Sequence, residues 1–403
     1  MISKTKEHVL IIGGGFGGVK AALELVDDER FAVTLLTEDT DLRYYPTLYH
    51  TATGGHRANS SIPLNQIFYG KVITLVKATA ETLDRKAKTI MTTTGDLHAY
   101  DTLIVGLGVI TNYFGIPGLV ENSYSIKSQS EVARFKKHLH DQMLSDRRPD
   151  LNYVIVGGGP TGIELSGALP EYLEHIMNNH GIKRRAIHID LIEAAPRLLP
   201  RMPLDTSRAV KRRLKRIGVK LHLNSIVQGA TSEDLTVNGK PIRSHTVVWT
   251  AGVTNNPFFT ENHFVIMSRG KVAVDTYLQS EDSIFVIGDN ANTPFSGLAQ
   301  TALVDGKFVA HNLRRRASGQ LMKSYSAKQP ATVIPAGPYW AAVCWGNLRI
   351  YGKAGWLLRE AADFIGFFDL QPLSEATKQF LTEFQHQDNC EVCSIAQLSA
   401  ARA

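Results

Sequence analysis

Two related stretches decide the fold: His8-Val-Leu-Ile-Ile-Gly13-Gly-Gly15-Phe-Gly-Gly18 and, later in the chain, Tyr153-Val-Ile-Val-Gly157-Gly-Gly159-Pro-Thr-Gly162. Each begins as a short strand rich in β-branched residues, turns at glycines, and continues as a helical pattern. Each is followed by a second apolar strand with an acid at its end, Glu38 in the first copy and Glu193 in the second. The repeat predicts two separate βαβ units.

The glycines of the two turns are Gly13, Gly15 and Gly18 in the first, and Gly157, Gly159 and Gly162 in the second. The first glycine of each set allows a tight turn, the second lets a pyrophosphate approach the backbone, and the third lets the helix pack closely on the strand. The helix N-terminus offers unsatisfied N–H groups and a partial positive charge to phosphates. Two such turns predict two dinucleotide sites, with Glu38 and Glu193 accepting hydrogen bonds from ribose hydroxyls.

A third segment indicates the nature of one dinucleotide. Ser283-Ile-Phe-Val-Ile-Gly288-Asp289 is a strand that ends in Gly-Asp, and a helical pattern follows from Leu298 to Leu313. An aspartate at a strand tip can hold polyol hydroxyls, and the dipole of the following helix stabilises negative charge at its N-terminus. A flavin needs both features, because it carries a ribityl chain and its ring becomes more negative on reduction.

The composition is that of a globular protein: 403 residues, 43% of them hydrophobic, a formal net charge of +6 and 3 cysteines. It excludes a disordered chain and a disulfide scaffold. No stretch approaches the roughly 18 consecutive apolar residues of a spanning helix. The polar N-terminus leads straight into a strand and leaves no room for a signal peptide, so we expect cytoplasmic residence.

Basic clusters at residues 183–185, 208–216 and 314–316 contribute to the net charge. In the second cluster the cations alternate with apolar residues at helical spacing, which is typical of the solvated face of an amphipathic helix. We therefore expect no nucleic-acid partner.

The predicted fold class is α/β, with two Rossmann-like dinucleotide-binding domains that each carry a β meander. Residues 1–114 and 271–328 form the first domain, residues 115–270 form a second domain inserted into it, and residues 329–403 form a small C-terminal unit that contains α-helices. The meanders are predicted at 72–99 and at 220–248, the latter around an Asn238-Gly239 hairpin turn.

These motifs resemble those of the two-dinucleotide-binding-domain flavoproteins, and the finer ones resemble type II NADH dehydrogenases (NADH:quinone oxidoreductases). The resemblance runs from about Val9 to about Leu313. Its most specific pieces are Pro46-Thr-Leu-Tyr49, Tyr100-Asp-Thr-Leu-Ile-Val-Gly106-Leu-Gly108, Gly157-Gly-Gly-Pro-Thr-Gly-Ile-Glu164, Trp249-Thr-Ala-Gly-Val253, Gly288-Asp289 and Ala299-Gln300-Thr-Ala302.

The resemblance implies an enzyme that takes a hydride from NADH onto FAD and passes two electrons to a membrane quinone of a respiratory chain, without pumping charge. It places FAD at Gly13, Gly15, Phe16, Gly18, Glu38, Gly108, Gly288, Asp289 and Ala299. It places NADH at Gly157, Gly159, Gly162, Glu193 and Gly252. Glu164 and Gln300 are the catalytic candidates, and no metal site is predicted.

Two positions depart from the family pattern. The usual ribose acid of the first domain falls on Thr37, so that Glu38 comes one place late. A second glutamine of the acceptor site is replaced, because Leu303 is followed by Val304 and Asp305. An NADH oxidase or diaphorase with another acceptor is therefore an alternative, and a flavoprotein with mainly a binding or signalling role is another. A sulfide:quinone oxidoreductase is disfavoured, because no cysteine precedes Cys344.

The C-terminal unit carries two apolar stripes at helical spacing. They are Leu357, Ala361, Phe364, Ile365 and Phe368, then Leu373, Thr377, Phe380, Leu381 and Phe384. Between residues 354 and 388 acids outnumber cations by six to two, the wrong sign for anionic lipid. The stripes predict a peripheral contact with the inner face of the cell membrane, a homodimer contact, or a docking face against the flavin domain. Cys390-Glu-Val-Cys393 is interpreted as a pair of thiols in the tail.

Overall fold

The computed structural model describes residues 6–144, 152–183 and 185–382. Over these ranges the chain forms ten α-helices. They are α1 (Phe16–Leu25), α2 (Leu48–Ala52), α3 (Leu64–Ile67), α4 (Gln129–Leu144), α5 (Pro160–Asn179), α6 (Leu204–Arg216), α7 (Phe258–Glu261), α8 (Ala299–Ala317), α9 (Lys353–Phe368) and α10 (Leu373–Thr382). Of these described helices, none combines the length and the apolar character needed to cross a bilayer.

The strands of the described ranges fall into two groups along the chain. The first group is β1 (Glu7–Ile12), β2 (Phe31–Thr37), β3 (Asp41–Arg43), β4 (Ser61–Pro63), β5 (Thr74–Lys77), β6 (Ala80–Asp84), β7 (Thr89–Thr92), β8 (Leu97–Ala99), β9 (Thr102–Val105) and β10 (Val109–Thr111). The second group is β11 (Asn152–Val156), β12 (His188–Ile192), β13 (Lys220–His222), β14 (Val227–Ala230), β15 (Asp234–Val237), β16 (Lys240–Arg243), β17 (Thr246–Trp249), β18 (Val253–Asn255), β19 (Gln279–Glu281), β20 (Ile284–Val286), β21 (Thr332–Pro335), β22 (Ala341–Trp345) and β23 (Leu348–Gly352).

Two parallel sheets organise the molecule. The first has the order β19-β20-β9-β1-β2-β5 and is parallel except for the edge strand β19. The second has the order β13-β12-β11-β17 and is fully parallel. Val9 to Ile12 are all completely buried, as expected for a parallel strand covered on both faces. Glycine turns follow β1 and β11 at the carboxyl ends of the sheets, so the predicted α/β class is confirmed.

The predicted meanders were too long. Strands β6–β8 and β14–β16 form two antiparallel three-stranded sheets, but β5, β13 and β17 belong to the parallel sheets. These strands are only three or four residues long, which is too short for their side-chain pattern to show which kind of sheet they join. The predicted hairpin between β15 and β16 is confirmed: Asn238 and Gly239 both have positive φ, at 49° and 75°, as a type I′ turn requires.

The two parallel sheets, each with its glycine turn and the helix that follows, form two nucleotide units: the first is built on β1 and the second on β11. These units are joined in two ways. The chain crosses between them through the antiparallel ribbon of β10 and β18, in which Val109 pairs with Asn255. Helix α2 of the first unit packs against α4 and α5 of the second, and Leu48 and Ala52 are buried in the same core as Phe135. The second contact ties the units together through side chains as well as through backbone.

The C-terminal unit contains a sheet that the sequence pattern did not predict. Strands β21, β22 and β23 pair antiparallel, and α9 packs on them. Ala341 to Cys344 are four consecutive buried residues. Such a short apolar run is compatible with a helix or a strand, so the pattern alone does not distinguish them.

Helix α9 docks on the rest of the protein through a polar face. Arg359 and Asp363 are buried on this face and form an ion pair, and the ring of Phe367 lies 4.4 Å from that of Tyr44. The opposite face carries the apolar stripe: Leu357, for example, is 61% exposed. The first stripe is therefore not the docking face against the flavin domain, whereas Phe380 of the second stripe packs against the core of that domain.

Candidate active site

A cleft of about 290 Å³ lies between the two nucleotide units. This volume is close to the lower end of the range for small-molecule sites, roughly 300–1,000 Å³. The predicted site residues that line it are Gly15, Phe16, Gly108, Glu164, Gly288, Asp289 and Ala299. Tyr45, Leu48 and Tyr49 form an apolar wall of the same cleft. Seven of the sixteen predicted residues, drawn from both units, therefore meet in one place.

The first glycine turn forms an open cradle. Gly13 has a φ of +112°, which favours glycine, and its N–H donates to the carbonyl of Leu36 at 2.8 Å. A Cβ on Gly18 would collide with the carbonyl oxygen of Gly13, whereas a Cβ on Gly15 would meet nothing within 4 Å. The turn is therefore tight on its inner side and open on the side of the cleft. This geometry fits the diphosphate of a dinucleotide such as FAD.

The second turn repeats this geometry. Gly157 has a φ of +118°, a Cβ on Gly162 would collide with the carbonyl oxygen of Gly157, and a Cβ on Gly159 would meet nothing. Glu193 reaches back to this turn, because its carboxylate accepts the N–H groups of Gly158 at 2.6 Å and Ala195 at 2.7 Å. The acid is thereby held against the second glycine turn.

The Gly288-Asp289 turn closes one end of the cleft, next to the start of α8. The Gly288 N–H donates to the buried carboxyl of Asp305 at 2.9 Å, and the Tyr325 hydroxyl donates to the other oxygen of Asp305 at 2.6 Å. Burial raises the pKa of Asp305 to about 6. Burial also raises the pKa of Asp289, while the charge of Lys271 opposes the change. In the sequence, Asp305 was noted only as part of a departure from the family's acceptor-site pattern. The structure shows that its carboxyl fixes the Gly288-Asp289 turn by accepting the Gly288 N–H.

Glu164 lies on α5, two residues after the last glycine of the second turn, and lines the cleft. Burial raises the pKa of Glu164 to about 7, against the opposing positive charge of Arg359. Arg359 comes from α9 and donates to the carbonyl of Pro46 at 2.9 Å. No sequence motif indicated Arg359, because it lies outside the segments that resemble the family.

The remaining predicted residues do not line the cleft. They are the turn residues Gly13, Gly18, Gly157, Gly159 and Gly162, together with Glu38, Glu193, Gly252 and Gln300. Glu38 is exposed just beyond the end of β2, and Gln300 is exposed on the first turn of α8. Gly252 packs beside the ring of Phe114, and its carbonyl accepts the N–H of Asn112. Cys390 and Cys393 lie outside the described residues.

Lys127 is a further cation that sequence reasoning missed. It lines the cleft directly before α4. The only local signal is Ser128-x-x-Glu131, the pattern of a capping box. The structure has this box: Glu131 accepts the N–H groups of Lys127 and Ser128 at 2.7 and 2.8 Å, and Ser128 Oγ accepts the N–H of Glu131.

Comparison with known proteins supports the assignment of the fold. The type II NADH:quinone oxidoreductase of Staphylococcus saprophyticus is 25% identical over 94% of this chain and 99% of its own length. The NDH2 of Plasmodium falciparum, solved in complex with NADH, superposes with a TM-score of 0.83 at 16% identity, over 94% of this chain and 98% of that one. The sulfide:quinone oxidoreductase of Aquifex aeolicus superposes with a TM-score of 0.75 at 18% identity, over 96% and 98%.

The first two similarities confirm the predicted resemblance to type II NADH dehydrogenases. A family model described as pyridine nucleotide-disulphide oxidoreductase matches residues 7–306, which include both glycine turns and the Gly288-Asp289 turn. The chain belongs to the pyridine nucleotide-disulphide oxidoreductase family.

Proposed function

We propose that the chain is an FAD-dependent NADH dehydrogenase that reduces a membrane quinone. The observation that carries this proposal is the cleft itself, which brings the first glycine turn and Asp289 together with Glu164 of the second unit. Relatives named type II NADH:quinone oxidoreductase match nearly the whole chain. When bound, FAD supplies hydride acceptance and two-electron transfer to the quinone.

The two turns have separate tasks in this proposal. Gly13, Gly15 and Gly18 hold the FAD diphosphate, and Asp289 holds its ribityl end. The second turn and Glu193 hold NADH, with the Glu193 carboxylate on the adenosine ribose. An acid at this position disfavours the 2′-phosphate of NADPH. The protein thus positions donor and acceptor in one cleft, which is its main contribution to the rate.

Glu164 supplies proton chemistry in the cleft. Reduction of a quinone by NADH consumes one proton from solvent, because NADH brings a hydride and the quinol carries two hydrogens. A carboxyl with a pKa of about 7 exchanges its proton readily at neutral pH. We assign the delivery of this proton to Glu164.

The outward faces of α9 and α10 support a peripheral membrane contact. Ile365 is 64% exposed and Phe368 is 53% exposed, and large apolar side chains of this kind are typical of interfacial helices. One acid of this segment is paired with a cation from outside it, because Asp369 lies 2.9 Å from Lys20 of α1. The exposed apolar face is therefore less negative than the composition of the segment indicates, and we place it against the inner face of the cell membrane.

Anaerobic titration tests the reaction. NADH should bleach the yellow protein, and a quinone should restore the colour at a rate that saturates with quinone and exceeds the rate with oxygen. A protein that reoxidises faster with oxygen than with any quinone would support the oxidase alternative, which the exposed Val304 favours. A colourless protein that cannot be reconstituted with FAD would refute the proposal.

Flotation with anionic liposomes tests the membrane contact. The double variant Leu357→Ser/Phe368→Ser should lose most of its liposome binding and keep its thermal stability, because both side chains are exposed. Leu97→Ser is the matched control, since Leu97 is 68% exposed on β8, outside the C-terminal unit. If the double variant floats like the wild type but halves its mass in light scattering, the face is a homodimer contact instead.

A further inference from the structure

Lys127 places a positive charge in the cleft from the side of the inserted unit. Its backbone N–H donates to Glu131 in the capping box at the start of α4. Helix α4 is itself anchored, because its residues Val132 and Phe135 are buried in the core of that unit. Asp289, in the first unit, lines the same cleft and lies within electrostatic range of Lys127. The cation is therefore held by one nucleotide unit and directed toward the cofactor turn of the other.

The charge of Lys127 is not neutralised by a direct contact. Within residues 6–144, 152–183 and 185–382, its ammonium forms no hydrogen bond or ion pair. Burial lowers the pKa of Lys127 to about 8, and the charges of Glu131 and Asp289 oppose this change. The Glu131 carboxylate is already engaged with two backbone N–H groups. The ammonium is therefore available, in the cleft that Lys127 lines, to an anion bound there.

The second lysine near Asp289 differs in this respect. Lys271 donates to the backbone carbonyl of Asp289 at 2.7 Å, so its ammonium has a partner in the protein. Lys271 therefore has a structural role at the turn, whereas Lys127 is available to a ligand.

We propose that Lys127 is a cofactor-positioning residue whose ammonium binds negative charge on the flavin dinucleotide held by the Gly288-Asp289 turn. The inference rests on the proposed function in one respect, namely that FAD occupies this cleft. Two parts of the dinucleotide carry such charge: the diphosphate at all times, and the ring once it is reduced. The chemistry of recognition is the same for both, an ammonium paired with an anion.

Two equilibrium measurements on the full chain distinguish these sources. The variants are Lys127→Gln, which removes the charge, and Lys127→Arg, which keeps it. Lys240→Gln is the matched control, because Lys240 is an exposed lysine of the same unit. The dissociation constant of oxidised FAD is measured after reversible removal of the flavin, and the midpoint potential is measured with a reference dye.

If the ammonium binds the diphosphate, K127Q should weaken the binding of oxidised FAD about tenfold or more. If it binds the reduced ring, oxidised FAD should bind as in the wild type and the midpoint potential should fall by about 30 mV for each tenfold loss of affinity for the reduced form. K127R should stay within about threefold of the wild type in either case.

The inference is wrong if K127Q matches K240Q in both FAD affinity and midpoint potential while remaining folded by circular dichroism. It fails separately from the proposed function. A wild-type protein that binds FAD and is bleached by NADH, but is not reoxidised by quinone, would overturn the quinone reaction and leave the role of Lys127 intact.

Discussion

The two glycine turns have the same backbone design and different electrostatics. Gly13 and Gly157 have φ values of +112° and +118°, and the third glycine of each turn leaves no room for a Cβ. Two residues after that third glycine, the first unit has Lys20 and the second has Glu164. The turns share a backbone geometry that suits a diphosphate. They differ in the charge that the following helix carries two residues after the third glycine.

Helix α9 carries a residue of opposite charge for each of these two side chains. Asp369 at its C-terminal end lies 2.9 Å from Lys20, and Arg359 in its middle opposes the charge of Glu164. This explains why the docking face of α9 is polar: the two nucleotide helices present charges of opposite sign to it. A repeated motif therefore shows where cofactors bind, while the residues that differ between the copies show how the copies are held and used.

The largest expected effect is the loss of a different cofactor when each turn is altered. Gly18→Ala should abolish FAD binding, and Gly162→Ala should keep FAD and lose NADH, because each Cβ collides with a carbonyl oxygen of its own turn. We expect each variant to lose about 3 kcal/mol of unfolding free energy from overpacking. Flavin absorbance and NADH titration of the FAD-loaded protein check the two outcomes.

Gly15→Ala and Gly159→Ala serve as controls for the collision. Neither Cβ meets an atom within 4 Å, so both variants should unfold at the temperature of the wild type and lose only cofactor affinity. If G18A and G162A each lost both cofactors, the idea of two independent turns would be wrong.

Glu164→Gln should lower the turnover number at pH 7 about 100-fold while FAD stays bound, since it removes a proton donor. The wild-type rate should change near pH 7, the pKa of Glu164, and the variant should lack this change. Steady-state kinetics from pH 5 to pH 9 provide the test, and an unchanged profile would contradict the assignment.

Glu164→Gln should lower the turnover number but raise the free energy of unfolding. The pKa of Glu164 is raised from 4.5 to about 7 in the folded protein, so the buried carboxyl destabilises the fold progressively as the pH rises from 4.5 to 7. The free energy of unfolding of Glu164→Gln should therefore exceed that of the wild type by about 2 kcal/mol at pH 8. At pH 4.5 the two free energies of unfolding should be nearly equal.

The acids at the ends of the second strands should differ in effect. Glu193→Gln should weaken NADH binding about tenfold, because the side chain is held by two backbone N–H groups beside the turn. Glu38→Gln should change FAD affinity less than about twofold, because Glu38 is exposed. Equal losses in the two titrations would show that the first unit uses its acid as the second does.

The smallest expected effect concerns the contact of α9 with the first unit. Asp369→Asn should lower the unfolding free energy by about 1 kcal/mol or less, because Asp369 is partly exposed and its pairing with Lys20 is screened by solvent. The loss should diminish at high salt. Thermal unfolding at two ionic strengths measures it, and a salt-independent loss would mean that packing, not charge, holds this end of α9.

Sequence reasoning was most successful where local geometry demands a particular residue. Gly13, Gly157 and the Asn238-Gly239 turn were predictable, because few other residues adopt positive φ. The boundaries of the meanders were less predictable, since β5, β13 and β17 are only three or four residues long and such short segments do not show which sheet they join.

The orientation of α9 and the contents of the cleft depend on long-range contacts. A helix stripe predicts which side is apolar, but the rule that this side faces inward assumes water on the other side. Lys127 lines the cleft and the charge of Arg359 acts on Glu164, but no spacing in the sequence relates these cations to Glu164 or Asp289. Only the packing of α4 and α9 against the two units brings these charges together.

Helix α9 also acts as a strut between the two cofactor helices. Arg359 and Asp369 are separated by ten positions of one helix, roughly 15 Å, and this rigid length spans the two places where α1 and α5 present their charges. The helix is therefore linked to both nucleotide units through its own charged residues. Under the membrane contact proposed above, a shift of α9 would act on the second unit through Arg359 and on the first through Asp369, so membrane attachment would be coupled to the relative position of the two units.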